Sequence, residues 1–131
     1  MLIDTSGLMC LFDARDHRHS SAVRHFDSTK TRLTHSYVLA EFVALAIARR
    51  APPTETLQFV KAIGADSAIE VIWVSRELHE RALQLLFARS DKRWSLCDAV
   101  SFIVMADGSI TDSLTTDHHF DQAGFVRLLS R

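Results

Sequence analysis

The chain has 131 residues, of which 47% are hydrophobic and 24% are charged, and its formal net charge is −1. This length suits one hydrophobic core, so we expect a single domain over residues 1–131. No apolar run reaches the roughly 18 residues of a membrane span, and no basic segment precedes the first apolar residues as in a signal peptide. Two cysteines, Cys10 and Cys97, are too few for a disulfide framework. These features predict a cytoplasmic protein, and the near-neutral charge does not by itself indicate nucleic-acid binding.

Apolar patterns and breaker residues predict strands that alternate with helices along the chain. In chain order, we predict a strand at 1–3, a turn at 5–7, helices at 8–12 and 17–26, a strand at 31–34, helices at 36–50 and 54–63, a strand at 69–74, helices at 75–88 and 95–106, a strand at 110–115, a short helix or turn at 117–122 and a strand at 125–128. Such alternation builds parallel sheets that helices cover on both faces. We therefore predict an α/β fold, a three-layer α/β/α sandwich with a central, mostly parallel sheet.

Four carboxylates stand out against apolar surroundings: Asp4, Glu41, Asp98 and Asp117. Asp4 and Asp117 each follow a predicted strand, and sheets of this kind bind ligands beyond the carboxyl ends of their strands. Glu41 lies inside an apolar helix, where we expect it to be buried, and no lysine or arginine lies within one turn of it. A buried charge needs a partner. Carboxylate oxygens prefer Mg²⁺ or Mn²⁺, so the set predicts a divalent-metal site that acts on phosphates.

Three of the four acids also have an ordinary structural explanation. Asp4 can cap the helix that follows it, and Asp117 can cap a short turn. Asp98 follows Ser95 by three residues, which matches the capping-box pattern. Glu41 lies too far inside its helix for capping. The sequence does not distinguish one metal ion from two.

The segments around the four acids, taken in order, resemble the PIN-domain family, and within it the VapC-like ribonuclease toxins. These segments are Leu2-Ile3-Asp4-Thr5-Ser6, Ala40-Glu41, Ser95-Leu96-Cys97-Asp98-Ala99 and Leu114-Thr115-Thr116-Asp117. The resemblance spans nearly the whole chain. It implies a parallel sheet between helices and Mg²⁺-dependent (or Mn²⁺-dependent) cleavage of RNA phosphodiesters.

The resemblance also implies roles for individual residues and for partners. The four acids would form the catalytic metal centre, and further polar positions would support it: Thr5, Ser6, Thr116 and, as a possible additional carboxylate, Asp121. It implies an RNA substrate, a cognate antitoxin that blocks the site, and a homodimer. Gly7 stands where many relatives carry a larger residue, from which we expect a looser first helix.

Other functions remain open at this point. Zinc binding by the histidine pairs His17/His19 or His118/His119 would need further well-spaced ligands. An aspartyl phosphotransferase would need a second aspartate two residues after Asp4, which is absent. A non-catalytic PIN-fold module that binds RNA or protein is the main alternative. Basic clusters such as Arg15 with Arg18 are either solvated surface or contacts for a phosphate backbone.

Overall fold

Short buried strands form the centre of the protein. The computed structural model describes residues 1–130, and these contain five strands: β1 (Leu2–Ile3), β2 (Leu33–His35), β3 (Glu70–Ile72), β4 (Asp112–Leu114) and β5 (Val126–Arg127). Every neighbouring pair is parallel, in the order β3-β2-β1-β4-β5. β1 is central, with Leu2 paired to Leu33 on one side and to Ser113 on the other. The predicted parallel sheet is confirmed.

Seven helices cover both faces of this sheet within residues 1–130. They are α1 (Thr5–Phe12), α2 (His19–Ser28), α3 (Ser36–Ala48), α4 (Pro53–Ala65), α5 (Arg76–Ala88), α6 (Leu96–Asp107) and α7 (His119–Gln122). Successive side chains of a strand point to opposite faces. Ile3 accordingly packs in a core with residues of α1, α3 and α4, whereas Leu2 packs in a second core with residues of α5, α6 and α7. The predicted three-layer sandwich is confirmed.

The predicted start of the first helix was wrong. The expected turn at residues 5–7 is the first turn of α1, because the extended backbone of Asp4 serves as N-cap and its carbonyl accepts from Leu8 N at 2.9 Å. α3 begins at Ser36, as predicted. Its cap is His35, whose Nδ1 accepts from the N–H of Val38 at 3.4 Å, while Ser36 Oγ accepts from Val74 N at 2.9 Å. Ser36 is thus used to tie α3 to the chain that leaves β3.

His35 also joins the two helices that flank the centre of the sheet. It is fully buried, and its Nε2 lies 2.8 Å from the hydroxyl of Ser101 in α6. Burial lowers the pKa of His35 to about 4, so the ring is neutral near pH 7. One imidazole therefore caps α3 and holds α6 beside it.

The remaining general expectations concern cysteines and membranes. Cys10 and Cys97 are both buried free thiols. Among residues 1–130, we find no helix with the length and apolarity needed to cross a bilayer.

The expectation that Gly7 loosens α1 was wrong. Gly7 is buried, and a Cβ added there would lie 2.1 Å from the carbonyl oxygen of Leu114. Contact this close means that only glycine lets α1 pack directly against β4. This packing in turn brings the start of α1 next to the residues that follow β4.

Replacing Gly7 with alanine should therefore destabilise the fold. We expect Gly7→Ala to lower the free energy of unfolding by about 2 kcal/mol or more, because the backbone of β4 must move to admit the methyl group. The matched control is Gly64→Ala in α4, where an added Cβ meets nothing within 4 Å. That change should raise stability by about 0.5 kcal/mol through helix propensity. Urea unfolding of both variants tests this, and equal stabilities would contradict it.

Candidate active site

The acidic residues gather at the edge of the sheet where its central strands end. Asp4 directly follows β1, and Thr115, Thr116 and Asp117 directly follow β4. β1 and β4 are parallel neighbours, so these residues emerge side by side. α3 begins immediately after β2 and carries Glu41, and α6 carries Asp98 in its first turn.

Asp4 is the most buried of the four carboxylates, with 4% of its surface exposed. Its Oδ2 accepts a hydrogen bond from Thr115 Oγ1 at 3.0 Å, whereas its Oδ1 is buried without a partner among the described residues. Burial raises the pKa of Asp4 to about 7; hydrogen bonding by the Thr5 backbone and by Thr115 opposes this rise, and the nearby charges of Asp98 and Glu41 add to it. Asp4 is therefore a buried carboxylate that the protein satisfies only in part.

Asp98 is also buried, at 6% exposure, and has a structural role. Its Oδ2 accepts from Ser95 N, and Ser95 Oγ accepts from Asp98 N, both at 3.0 Å. The predicted capping box is therefore present. The same Oδ2 lies 2.9 Å from Nδ1 of His119, so a histidine holds the carboxylate from the other side.

Asp117 organises the turn after β4, as the capping explanation predicted. Its Oδ1 accepts from His119 N at 2.9 Å, and its own N–H donates to Thr115 Oγ1 at 3.0 Å. The ring of His119 lies between two acids, since Nδ1 is also 3.5 Å from Asp117 Oδ1. Possible ligand atoms of Asp117, His118 and His119 all lie within 4.8 Å of one another. His17 and His19 belong to no such group in the part of the chain that the structure describes.

The expectation that Glu41 is buried was wrong. Glu41 is exposed, as are its neighbours Ala40 and Ala44. The alanines of α3 made the whole helix look like core, but small side chains are tolerated equally well in solvent. The other face of α3 supplies the buried residues Val38 and Phe42.

Exposure does not take Glu41 away from the site. With Asp4 and Asp117 it lines a cavity of about 480 Å³ at the carboxyl edge of the sheet. Asp98 is not part of the cavity wall, but its charge acts on Asp4. The structure thus brings the four predicted acids to one region, three of them around one cavity.

The supporting residues differ in how well the structure places them. Thr5, Ser6 and Thr116 line the same cavity. Ser6 Oγ accepts from Thr116 N at 2.9 Å and lies 3.1 Å from Thr115 Oγ1. Thr115 was missed in the sequence, although a polar pair between an apolar strand and Asp117 was the available signal. It contacts Asp4, Ser6 and the backbone of Asp117.

Asp121 does not line this cavity. Its Oδ2 accepts from Arg127 Nε at 2.9 Å, and almost half of the side chain is exposed. Asp121 therefore forms a surface ion pair, because its position in α7 brings it next to Arg127 of β5.

Cavity size alone does not identify the site. A second cavity, of about 550 Å³, lies between α5, α6 and the start of β2, and its wall includes Asp107. Arg81 binds both oxygens of Asp107, at 2.7 and 3.0 Å. Asp107 is therefore neutralised, whereas one oxygen of Asp4 has no partner among the described residues. This difference favours the smaller cavity as the active site.

The three-layer sandwich and its acid-lined cavity agree with the class of ribonuclease toxins that the sequence resemblance implied. Two curated relatives, each named 23S rRNA-specific endonuclease VapC20, come from Mycobacterium tuberculosis strains CDC 1551 / Oshkosh and ATCC 25618 / H37Rv. Each is 31% identical over 129 residues, covering 98% of this chain and 97% of the relative. No protein-family model matches the chain.

A solved structure agrees with these relatives. The crystal structure of Mycobacterium tuberculosis VapC20, described as a sarcin–ricin loop cleaving toxin, aligns with a TM-score of 0.86 and 31% identity, over 95% of each chain. The chain belongs to the VapC-like ribonuclease toxins of the PIN-domain family. It is an RNA-cleaving hydrolase of that family.

The raised pKa of Asp4 predicts a pH-dependent stability in metal-free protein. Between about pH 4 and pH 7 the folded state keeps a proton that the unfolded chain has lost, so stability falls as pH rises through this window. Asp4→Asn should remove this penalty. We expect the variant to be more stable than the wild type by about 2–4 kcal/mol at pH 8 and nearly equal to it at pH 4.

Urea unfolding in EDTA at the two pH values measures this difference. Asp121→Asn is the control, since it removes an exposed carboxylate that is already paired. A stability gain for Asp4→Asn that is the same at both pH values would contradict the assignment of the penalty to ionisation.

Proposed function

We propose that this toxin is a Mg²⁺- or Mn²⁺-dependent endoribonuclease whose metal centre consists of Asp4, Glu41, Asp98 and Asp117. The observation that carries the proposal is the buried Oδ1 of Asp4, which has no partner among residues 1–130 and lies beside a cavity with two further carboxylates. An all-oxygen donor set of this kind suits hard divalent cations. The residues present therefore fit the metal that the family implies.

When bound, such a metal lowers the pKa of a coordinated water and stabilises the charge that develops on phosphoryl oxygens. The protein's own residues orient the ligands. Thr115 directs Asp4 by donating to one oxygen, and His119 together with Ser95 fixes Asp98. Ser6 holds the backbone of Thr116 and thereby the position of Asp117. Thr5 adds a buried hydroxyl at the cavity wall.

The relatives suggest the kind of RNA that is cut. Because VapC20 is described as cleaving the sarcin–ricin loop of 23S rRNA, we propose a structured loop of ribosomal RNA as the substrate, cut in the cytoplasm. We propose that a cognate antitoxin blocks the acid-lined cavity. We further propose a homodimer, whose interface would use exposed apolar side chains such as Ile47 in α3 and Leu57 in α4.

The first experiment is cleavage of a synthetic sarcin–ricin loop hairpin with Mg²⁺, with Mn²⁺ and with EDTA, beside Asp98→Asn. Asparagine can still accept from Ser95 N, so the capping box persists while the charge is lost. We expect cleavage to require the metal and to fall at least about 100-fold in the variant. Asp107→Asn, at the other end of α6, is the control and should cleave as the wild type does.

Each other outcome has a definite meaning. Cleavage that persists in EDTA and in Asp98→Asn would contradict the metal centre. Folded, antitoxin-free protein that neither cuts RNA nor binds Mn²⁺ would favour the non-catalytic module instead.

Glu41 permits a cleaner separation of function from folding. Because its side chain is exposed, we expect Glu41→Gln to change the free energy of unfolding by less than about 0.5 kcal/mol. Cleavage should nevertheless fall at least about tenfold, since one metal-facing charge is lost. Glu80→Gln, an exposed glutamate in the middle of α5, is the matched control. Unchanged cleavage in Glu41→Gln would remove Glu41 from the proposed centre.

A further inference from the structure

The loop between α1 and α2 contains the same tripeptide pattern twice. In Asp13-Ala14-Arg15 and in Asp16-His17-Arg18, the aspartate binds the arginine two residues later. Asp13 Oδ1 accepts from the backbone N of Arg15 at 3.0 Å and from its Nε at 3.2 Å. Asp16 Oδ1 accepts from the same two atoms of Arg18, at 2.8 and 3.0 Å. The two arginines therefore share the contacts of their backbone N and Nε with the preceding aspartate.

Their surroundings are very different. The side chain of Arg15 is 91% exposed, whereas that of Arg18 is 22% exposed. Arg18 lines the acidic cavity, together with Asp4 and Glu41. It is the one lysine or arginine among the described residues of that cavity wall. Arg15 lies at a separate cavity near the end of α3.

Arg18 is held firmly and keeps its charge. Its Nε donates to Asp16 Oδ1 and its Nη2 donates to Asp16 Oδ2, both at 3.0 Å, so one edge of the guanidinium binds both carboxylate oxygens. Hydrogen bonding to Arg18 lowers the pKa of Asp16 to about 2, and the pair therefore stays ionised at neutral pH. A guanidinium fixed in this way loses little further freedom when it binds another group.

The other edge of the guanidinium is available. Among residues 1–130, Nη1 of Arg18 has no hydrogen-bond partner, and Arg18 forms no ion pair with Asp4, Glu41 or Asp117. The cation is thus not used to neutralise the cavity's own acids. A planar donor edge at the wall of a cavity that receives a polyanion matches the geometry of a phosphate group.

We infer that Arg18 binds a phosphate of the RNA substrate through the free edge of its guanidinium, with Asp16 as the residue that orients it. This inference rests on the nuclease function proposed above. The phosphate contact gives the RNA strand one favourable charge beside three carboxylates, and it sets how the strand enters the cavity. Phosphate contacts of this kind contribute affinity and register without reading sequence.

The test compares Arg18→Gln with Arg15→Gln on the synthetic sarcin–ricin loop hairpin in Mg²⁺. Glutamine keeps a stem and one donor for the neighbouring aspartate in both cases. For Arg18→Gln we expect KM to rise about tenfold while kcat changes much less, because a charge-assisted contact to the bound strand is lost. For Arg15→Gln we expect wild-type values of both constants.

Two readouts separate a phosphate contact from a structural role. In the cleavage-deficient Asp98→Asn background, the slope of log binding affinity against log salt concentration should be smaller by about 0.7 with Arg18→Gln. Mn²⁺ affinity of the Arg18→Gln single variant should equal that of the wild type, since Arg18 is not a metal ligand. If Arg18→Gln does not fold, Arg18→Lys replaces it. Lysine keeps the charge but lacks the paired N–H donors of the guanidinium. We therefore expect KM to rise less than in Arg18→Gln and the salt slope to stay at the wild-type value.

Equal KM values for Arg18 and Arg15 variants would overturn the inference, and so would a loss of Mn²⁺ affinity in Arg18→Gln. Both results leave the nuclease itself intact, provided that the wild type cuts the hairpin. A wild type that neither binds nor cuts the hairpin would defeat the proposed substrate, and the inference about Arg18 would fail with it.

Discussion

The buried carboxylate of Asp4 is the constraint on which the rest of the site depends. A charge that is nearly excluded from water is unfavourable unless it has a partner. The protein supplies only part of one, through the hydroxyl of Thr115 and the backbone of Thr5, and Oδ1 has no hydrogen-bond partner within residues 1–130. The close packing of α1 on β4 at Gly7 keeps this arrangement in place. The fold therefore carries a local penalty, and the proposed cation would offset it by binding the folded state.

Capping and metal chemistry are not competing explanations here. Asp98 forms a capping box with Ser95, and Asp117 caps the turn that leads into α7. In both cases one carboxylate satisfies backbone N–H groups while its charge remains close to Asp4 or at the cavity. Using backbone donors to fix the side chains gives the acids a defined orientation without extra positive charge. His119 then links the two acids, because its Nδ1 lies 2.9 Å from Asp98 Oδ2 and its backbone N–H donates to Asp117 Oδ1.

The charged residues around the cavity differ in their exposure to solvent. Glu41 and Arg18 come from separate elements, and both leave part of the side chain accessible. Their charges cost little to maintain in solvent, and they remain available to groups that arrive from outside. The cavity therefore combines a buried carboxylate, Asp4, with accessible charges of both signs.

Local sequence determined much of this protein. Apolar runs and breakers predicted every strand and helix to within a few residues, and strand–helix alternation predicted the parallel sandwich. The four acids were recognisable because each has a polar side chain in an apolar segment. Tertiary structure alone decided the exposure of Glu41, the contact of Gly7 with β4, the ion pair of Asp121 with Arg127, and the place of Arg18 beside the acids. These features depend on which distant segments meet, and periodicity along one chain carries no information about the neighbour that a given face will find.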